Sequence, residues 1–144
     1  MLLGQHDHTI DDKNRLTLPA KFRQAFAEGL VLVRGIEPCL TAYPRSEWRA
    51  AVESRLQELD PLSREGRLMQ RYFFSGAAEA ELDKQGRVMI PSALAEQAGL
   101  EREVVVAGIR DHLEIWDRAR WREHLDEIEG SAEDVAERLA TKRD

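Results

Sequence analysis

The sequence predicts a mainly β protein with short helices, an α+β fold built from a tandem duplication. Two stretches carry this prediction: DDKNRLTLPAKFR, which begins at Asp11, and LDKQGRVMIPSAL, which begins at Leu82. With Asp11 placed over Asp83, both contain Asp-x-x-x-Arg, an apolar-x-apolar run and a proline that opens a helix-like segment. A further match, RGIEPCLTAYPRSEWR with AGIRDHLEIWDRARWR, extends the repeat to Trp48 and Trp121. Because one such repeat buries too little surface to fold alone, we expect the two to share a core.

Each repeat predicts the same series of elements: strand, tight turn, strand, short helix, two strands and a helix. In the second repeat AEAELD alternates in polarity and leads into KQG, where Gly86 supplies the positive φ of a tight turn. Asn14 holds that place in the first repeat, and Asn is the non-glycine residue that best tolerates this conformation. Gly29 and Gly99 predict left-handed C-caps of the short helices. LVLVRG and VVVAG then predict buried strands.

These patterns divide the chain into four segments. The repeats span residues 5–47 and 76–119, and a helical linker, 48–75, joins them. Residues 120–144 form a C-terminal helix and a charged tail, which we expect to fray from Gly130 onward.

Composition narrows the class of protein. A single cysteine, Cys39, excludes an intrachain disulfide framework and is typical of a reducing compartment. We expect no signal peptide, and no apolar run approaches the ~20 residues of a membrane helix, so the expected location is the cytoplasm, with no membrane partner.

The net charge of −6 disfavours a nucleic-acid partner, but the charge is unevenly distributed. From Arg122 to Asp144 the chain carries eight acidic and four basic residues, whereas residues 1–45 carry six basic and five acidic ones. The acidity is therefore concentrated in the tail, and DNA binding stays open.

The repeated Asp-x-x-x-Arg motif allows two interpretations. The aspartates could accept hydrogen bonds within each turn and steady the arginine across it, a purely structural role. The repeated arginine at the turn exit, with a lysine beside it, also suits phosphate oxygens or a guanine edge. The spacing of the motif alone supports the structural and the DNA-binding interpretation equally. The candidate DNA-binding residues are Asp11, Lys13, Arg15, Asp83, Lys84 and Arg87.

Catalysis is not indicated, and we predict no enzyme, no cofactor, no metal and no small-molecule ligand. The four histidines are scattered, no Ser/His/Asp or Cys/His grouping repeats, and no phosphate-binding glycine motif is present. His6 and His8 could share a strand face and hold a metal, but they have no counterpart in the other repeat, so a solvated terminal strand is favoured. Cys39 aligns with His112, so neither position demands a catalytic side chain.

Other distinctive residues have structural explanations. Trp48 and Trp121 have apolar residues at helical spacing and are expected to anchor the core. Arg64, Arg67 and Arg71 recur on one face of the linking helix, where a solvated face is favoured over a binding stripe.

The doubled motif, the duplication and the tryptophan helix after each repeat closely resemble the MraZ family, bacterial transcriptional regulators built of two SpoVT/AbrB-type DNA-binding units. The resemblance covers about residues 1–128. It implies a swapped-hairpin β-barrel in which the two halves interlock, and a ring-like homo-oligomer. It also implies a nucleoid-associated regulator that binds repeated operator boxes in the promoter of the division and cell-wall gene cluster, which includes its own gene.

The resemblance further implies that the two motif segments face double-stranded DNA. Arg15 and Arg87 are then expected at base edges or phosphates, the neighbouring lysines at phosphates, and Asp11 and Asp83 as residues that orient the hairpins. Asn14 departs from the glycine common in the family. The alternative is an AbrB-type antitoxin or protein-interaction module, although the duplicated unit and short tail are not typical of an antitoxin.

Overall fold

The two repeats adopt the same order of elements in the computed structural model, which describes residues 1–142. The first repeat forms four strands and a short helix: β1 (Leu2–Thr9), β2 (Arg15–Thr17), α1 (Ala20–Arg23), which runs into a 3-10 turn (Gln24–Phe26), β3 (Leu30–Arg34) and β4 (Leu40–Pro44). The connection is helical: α2 (Arg45–Glu47), a π-helical stretch (Trp48–Glu53), α3 (Ser54–Gln57) and α4 (Arg64–Ser75). The second repeat and the last helix follow: β5 (Ala77–Ala80), β6 (Arg87–Met89), α5 (Ser92–Gln97), β7 (Glu103–Arg110), β8 (Leu113–Asp117) and α6 (Arg118–Lys142). The predicted series of elements, including the linking helix, is confirmed.

The repeats exchange their first strands. The main sheet has the order β1-β7-β8-β4-β3-β5 and is antiparallel throughout. In it β1 of the first repeat pairs with β7 of the second, and β5 of the second repeat pairs with β3 of the first. The remaining strands, β2 and β6, pair with each other to form a two-stranded ribbon. Each repeat thus completes the sheet of the other, as the swapped arrangement requires.

The predicted α+β class is confirmed, and the described strands do not form a closed barrel. The six-stranded sheet keeps β1 and β5 as its outer strands, and the ribbon forms a separate sheet. A single bridge, Ile10 with Leu16, joins β2 to the end of β1. The ribbon strands are three residues long and bond chiefly to each other, so they do not close the circle of hydrogen bonds that a barrel needs.

One core serves both repeats, as expected. Side chains from both ribbon strands, both short helices and the central sheet form a single buried cluster that includes Leu16, Phe22, Phe26, Leu32, Val88, Ile90, Val106 and Leu113. Two smaller clusters lie around Trp48 and Trp121, which confirms the tryptophans as core anchors. The Trp121 indole also donates to Gln5 Oε1 at 2.6 Å, which ties α6 to β1. Neither repeat has a complete core of its own.

The ends of the helices agree with the sequence patterns except at the C-terminus. Gly29 and Gly99 follow the short helices with φ of 102° and 67°, as C-caps require. Helix α6 runs on through Gly130, so the expectation of fraying from that residue is wrong for the described part of the tail. Good helix formers on either side, such as Glu127, Glu133 and Ala136, offset the local cost of the glycine. No helix within residues 1–142 is both long and apolar enough to cross a membrane.

Candidate nucleic-acid interface

The ribbon of β2 and β6 presents one buried and one outward face. Its register pairs Arg15 with Met89, Leu16 with Val88, and Thr17 with Arg87. Leu16 and Val88 are 0% and 1% exposed and point into the core. Because successive side chains of a strand alternate between faces, the other four point away from the core. The ribbon therefore carries both motif arginines on its outward face.

The first hairpin turn is held by the carboxylate of Asp11. Asp11 Oδ1 accepts hydrogen bonds from the backbone N–H groups of Lys13 and Arg15, both at 2.9 Å. The Asp11 carbonyl accepts from the N–H of Asn14, whose φ of 60° confirms the left-handed position. The other carboxylate oxygen, Oδ2, accepts from Arg15 Nε at 2.8 Å. One aspartate thus closes the turn and fixes the arginine.

The second turn repeats this geometry. Asp83 Oδ1 accepts from the N–H groups of Gln85 and Arg87 at 2.9 Å each, and Oδ2 accepts from Arg87 Nε at 2.7 Å. Gly86 occupies the left-handed position with φ of 77°. Hydrogen bonds from the backbone N–H groups of Arg87 and Arg15 are the main reason that the pKa values of Asp83 and Asp11 lie below the usual carboxyl value. Both aspartates thus accept hydrogen bonds within their turns, as the sequence predicted.

This arrangement leaves most of each guanidinium free to bind a ligand. Within residues 1–142, the hydrogen bonds of the Arg15 and Arg87 side chains are made by Nε alone. Both side chains are 28% exposed. The terminal amino groups keep four N–H donors in a planar fork, the geometry that matches phosphate oxygens or the O6 and N7 atoms of guanine. The two aspartates therefore hold two guanidinium groups in a fixed orientation on one face of the ribbon.

The two turns also hold each other in place. The N–H of Leu18, just after β2, donates to the Gly86 carbonyl of the other turn at 2.9 Å. In the opposite sense, the N–H of Ile90 donates to the Asn14 carbonyl at 2.8 Å. Since both hydrogen bonds connect one repeat to the other, the distance between the two arginines is set by the fold.

The lysines beside the arginines occupy unequal places in the two turns. Lys13 and Lys84 are both exposed, but Lys13 is the second residue after its aspartate and Lys84 the first. The position equivalent to Lys84 is Asp12, whose carboxylate lies 3.0 Å from Arg102 Nη2. The second turn is therefore the more basic of the two.

One further basic residue lies at this surface, Arg23 of α1, which the alignment of the two repeats did not predict. Its Nε donates to the Leu18 carbonyl at 3.0 Å, and its side chain lies directly against Gly86 of the second turn. A Cβ atom at Gly86 would lie 2.6 Å from Arg23 Cδ, so any other residue at this position requires the Arg23 side chain to move. The equivalent residues of the other repeat are Ala95 and Asn14. The glycine-to-asparagine difference was the sequence signal for this contact.

Other candidate sites do not assemble. The His6 ring packs edge-on against Phe22 with ring centroids 5.4 Å apart, and the described residues contain no group of three or more His, Cys, Asp or Glu side chains placed to hold a metal. Cys39 is buried, and burial raises the pKa of its thiol to about 12, so it is a poor nucleophile. His112, its counterpart, is held by Asp111 at 2.7 Å and stacks on Tyr43.

Comparison with known proteins assigns the duplication to a family. A family model described as "MraZ protein, putative antitoxin-like" matches the chain twice, over residues 1–71 and 73–143. A protein named transcriptional regulator MraZ from Heliobacterium modesticaldum is 42% identical over 139 residues, covering 96% of each chain. One of the same name from Acetivibrio thermocellus is 40% identical over 140 residues, covering 97% of each chain. With both repeats matched and relatives aligned over nearly their full length, the chain belongs to the MraZ family.

Proposed function

We propose that this protein is a sequence-specific regulator of transcription that binds double-stranded promoter DNA through the ribbon of β2 and β6. The observation that carries the proposal is the pair of identical Asp–Arg clamps, which orient two guanidinium groups on one rigid outward face. A two-stranded ribbon fits the major groove of B-DNA, where arginine forks recognise guanine. The relatives are named transcriptional regulators, and neither their names nor the family description is that of an enzyme.

The candidate residues take distinct roles in this proposal. Arg15 and Arg87 contact base edges or closely placed phosphates, because their terminal amino groups are oriented outward by the aspartates. Lys13 and Lys84, exposed in the turns, contact phosphates and contribute salt-dependent affinity. Asp11 and Asp83 are positioning residues, since their carboxylates are already engaged by backbone N–H groups.

The proposal includes assembly of several copies into a ring that binds repeated operator boxes. One ribbon offers few contacts and the chain has a net charge of −6, so a single copy should bind DNA weakly. Copies joined in one particle bind adjacent boxes with a high effective concentration, which turns weak contacts into tight binding. The expected target is the promoter of the division and cell-wall gene cluster, including the gene of this protein, in the bacterial cytoplasm.

The wording of the family description favours one other function, an antitoxin that binds a protein toxin. The exposed helix α6 offers a surface for such a partner. DNA binding is better supported, because toxin binding by itself gives no reason for two oriented arginines on the ribbon.

A gel-shift titration tests the proposal. DNA from immediately upstream of the gene of this protein is compared with scrambled DNA of equal length at two salt concentrations. We expect tight, salt-sensitive retention of the native fragment alone. Equal retention of both fragments, or none, would contradict sequence-specific regulation and direct attention to a protein partner.

A further inference from the structure

Met89 is a large apolar side chain that the fold leaves mostly exposed. It is 57% exposed on the outward face of the ribbon, whereas its neighbours in β6, Val88 and Ile90, lie in the core. The outward face of the ribbon's two strands consists of Arg15, Thr17, Arg87 and Met89. Met89 is thus the apolar member of a polar and cationic surface.

The position of Met89 makes the two repeats chemically different. Its equivalent in the first repeat is Thr17, so one half of the ribbon offers a thioether and the other a hydroxyl. In the register, Met89 lies directly opposite Arg15, and Thr17 lies directly opposite Arg87. Side chains opposite each other on neighbouring strands start about 5 Å apart, so Arg15 and Met89 reach the same or adjacent base pairs.

The charge around Met89 selects the kind of partner. A second copy of this chain or a lipid surface that covered Met89 would also cover Arg15 and Thr17, and burial of an unpaired guanidinium is costly. DNA supplies anionic and polar acceptors for the arginine and an apolar group for the methionine. The apolar group on the base edges of the major groove is the 5-methyl of thymine.

We propose that Met89 is a specificity-determining residue that packs against the 5-methyl group of a thymine beside the base pair contacted by Arg15. This inference rests on the DNA-binding function proposed above and adds a base preference to it. The long, flexible methionine side chain reaches a methyl group farther from the strand and over a wider range of positions than the short Thr17 side chain does. The ribbon therefore distinguishes the two halves of its binding site.

Replacement of thymine by deoxyuridine tests this contact because it removes the methyl group and leaves the base pairing unchanged. Each thymine of the upstream fragment is replaced in turn, and affinities are measured for the wild type, Met89→Ala and Met89→Thr. At one position we expect deoxyuridine to weaken wild-type binding by about three- to tenfold, the effect of one apolar contact on a methyl group. Met89→Ala and Met89→Thr should bind the unmodified fragment correspondingly less tightly and show no further loss with deoxyuridine. Leu62→Ala, which alters an apolar residue that is 87% exposed outside the ribbon, is the matched control and should behave as the wild type.

The outcomes separate this inference from the proposed function. If the wild type shows no preference for the native fragment, the proposal of sequence-specific binding through this ribbon is wrong. The proposed contact with a thymine methyl group is then wrong as well. A second outcome is that the wild type prefers the native fragment while each deoxyuridine changes the affinity of the wild type and of Met89→Ala by the same factor. In that case DNA binding stands and the role of Met89 is refuted. A change in the oligomer mass of Met89→Ala would also overturn it, since it would place Met89 between copies of the chain.

Discussion

The unequal turns of the ribbon give a pair of matched substitutions, Gly86→Asn and Asn14→Gly. Each gives one turn the residue that the other turn carries at the same place. Gly86→Asn adds a side chain against Arg23 at a residue with φ of 77°. Asn14→Gly removes a side chain from a residue with φ of 60°. We therefore expect Gly86→Asn to destabilise the protein and Asn14→Gly to be tolerated, although each simply exchanges the residues of equivalent positions.

The expected cost of Gly86→Asn has two parts. Asparagine in the left-handed region costs up to about 1 kcal/mol relative to glycine. The Arg23 side chain is flexible enough to move away, but it then loses its hydrogen bond to the Leu18 carbonyl, a loss of about 1–2 kcal/mol for a charged donor. Together these lower the free energy of unfolding by about 2–3 kcal/mol. Asn14→Gly should stay within about 1 kcal/mol of the wild type, because relief of backbone strain and the greater freedom of the unfolded chain oppose each other.

Urea unfolding at one fixed protein concentration measures both changes, since the stability of the proposed oligomer would also depend on the concentration. The double variant Arg23→Ala/Gly86→Asn reproduces the Ala95 and Asn14 arrangement of the other repeat, so Gly86→Asn should cost about 1–2 kcal/mol less in that background, where the Arg23 hydrogen bond is already absent. Equal losses from the two single substitutions, or no relief from Arg23→Ala, would refute the contact between Arg23 and the second turn as the reason for the glycine.

Three further outcomes are expected. Asp83→Asn should unfold at lower urea concentration near neutral pH; because the pKa of Asp83 is lowered by the Arg87 N–H, the difference from the wild type should shrink as the pH falls below the ordinary carboxyl value of 3.8, and a constant difference would contradict this. Burial alone would lower the pKa of His112, but Glu114 and Asp111 outweigh burial and raise it. The stability that His112 contributes is therefore complete below 6.5 and is lost as the pH rises through its raised pKa, so urea titrations should show that His112→Gln is more harmful at about pH 6 than at about pH 9. Cys39 should react with a thiol reagent only after unfolding, since burial raises the pKa of its thiol to about 12, and rapid labelling of the native protein would contradict that.

The parts of the fold that the sequence predicted were local. Asn14 and Gly86 were expected in left-handed turns because few residues adopt that conformation, and Asp11 and Asp83 were expected to close those turns because a short carboxylate reaches nearby N–H groups. The order of elements followed from the alternation of polarity and from glycine positions. Each of these inferences depends on residues close together in the chain.

The parts that the residue patterns did not predict depend on contacts between repeats. The pairing of β1 with β7 joins residues more than ninety positions apart, and only the family resemblance indicated it. The residue patterns also did not show that β2 and β6 bond chiefly to each other, which leaves the sheet open and the ribbon separate. Arg23 was not predicted as a surface residue of the site because its equivalent in the other repeat is Ala95, so the arginine is not repeated. The contact with Gly86 crosses from one repeat to the other.

The most direct test of the ribbon as the DNA-binding surface is the affinity of Arg15→Ala/Arg87→Ala for the native and scrambled upstream fragments over a range of salt concentrations. Arg64→Ala/Arg71→Ala removes the same charge from exposed positions of α4 and is the matched control. We expect the ribbon variant to lose its preference for the native fragment, while size-exclusion chromatography shows the particle size of the wild type and the control binds as the wild type. A fall of about two in the salt slope would assign both arginines to phosphates, whereas a smaller fall with lost preference would assign them to bases. Retention of full affinity and preference by the ribbon variant would contradict the proposed interface.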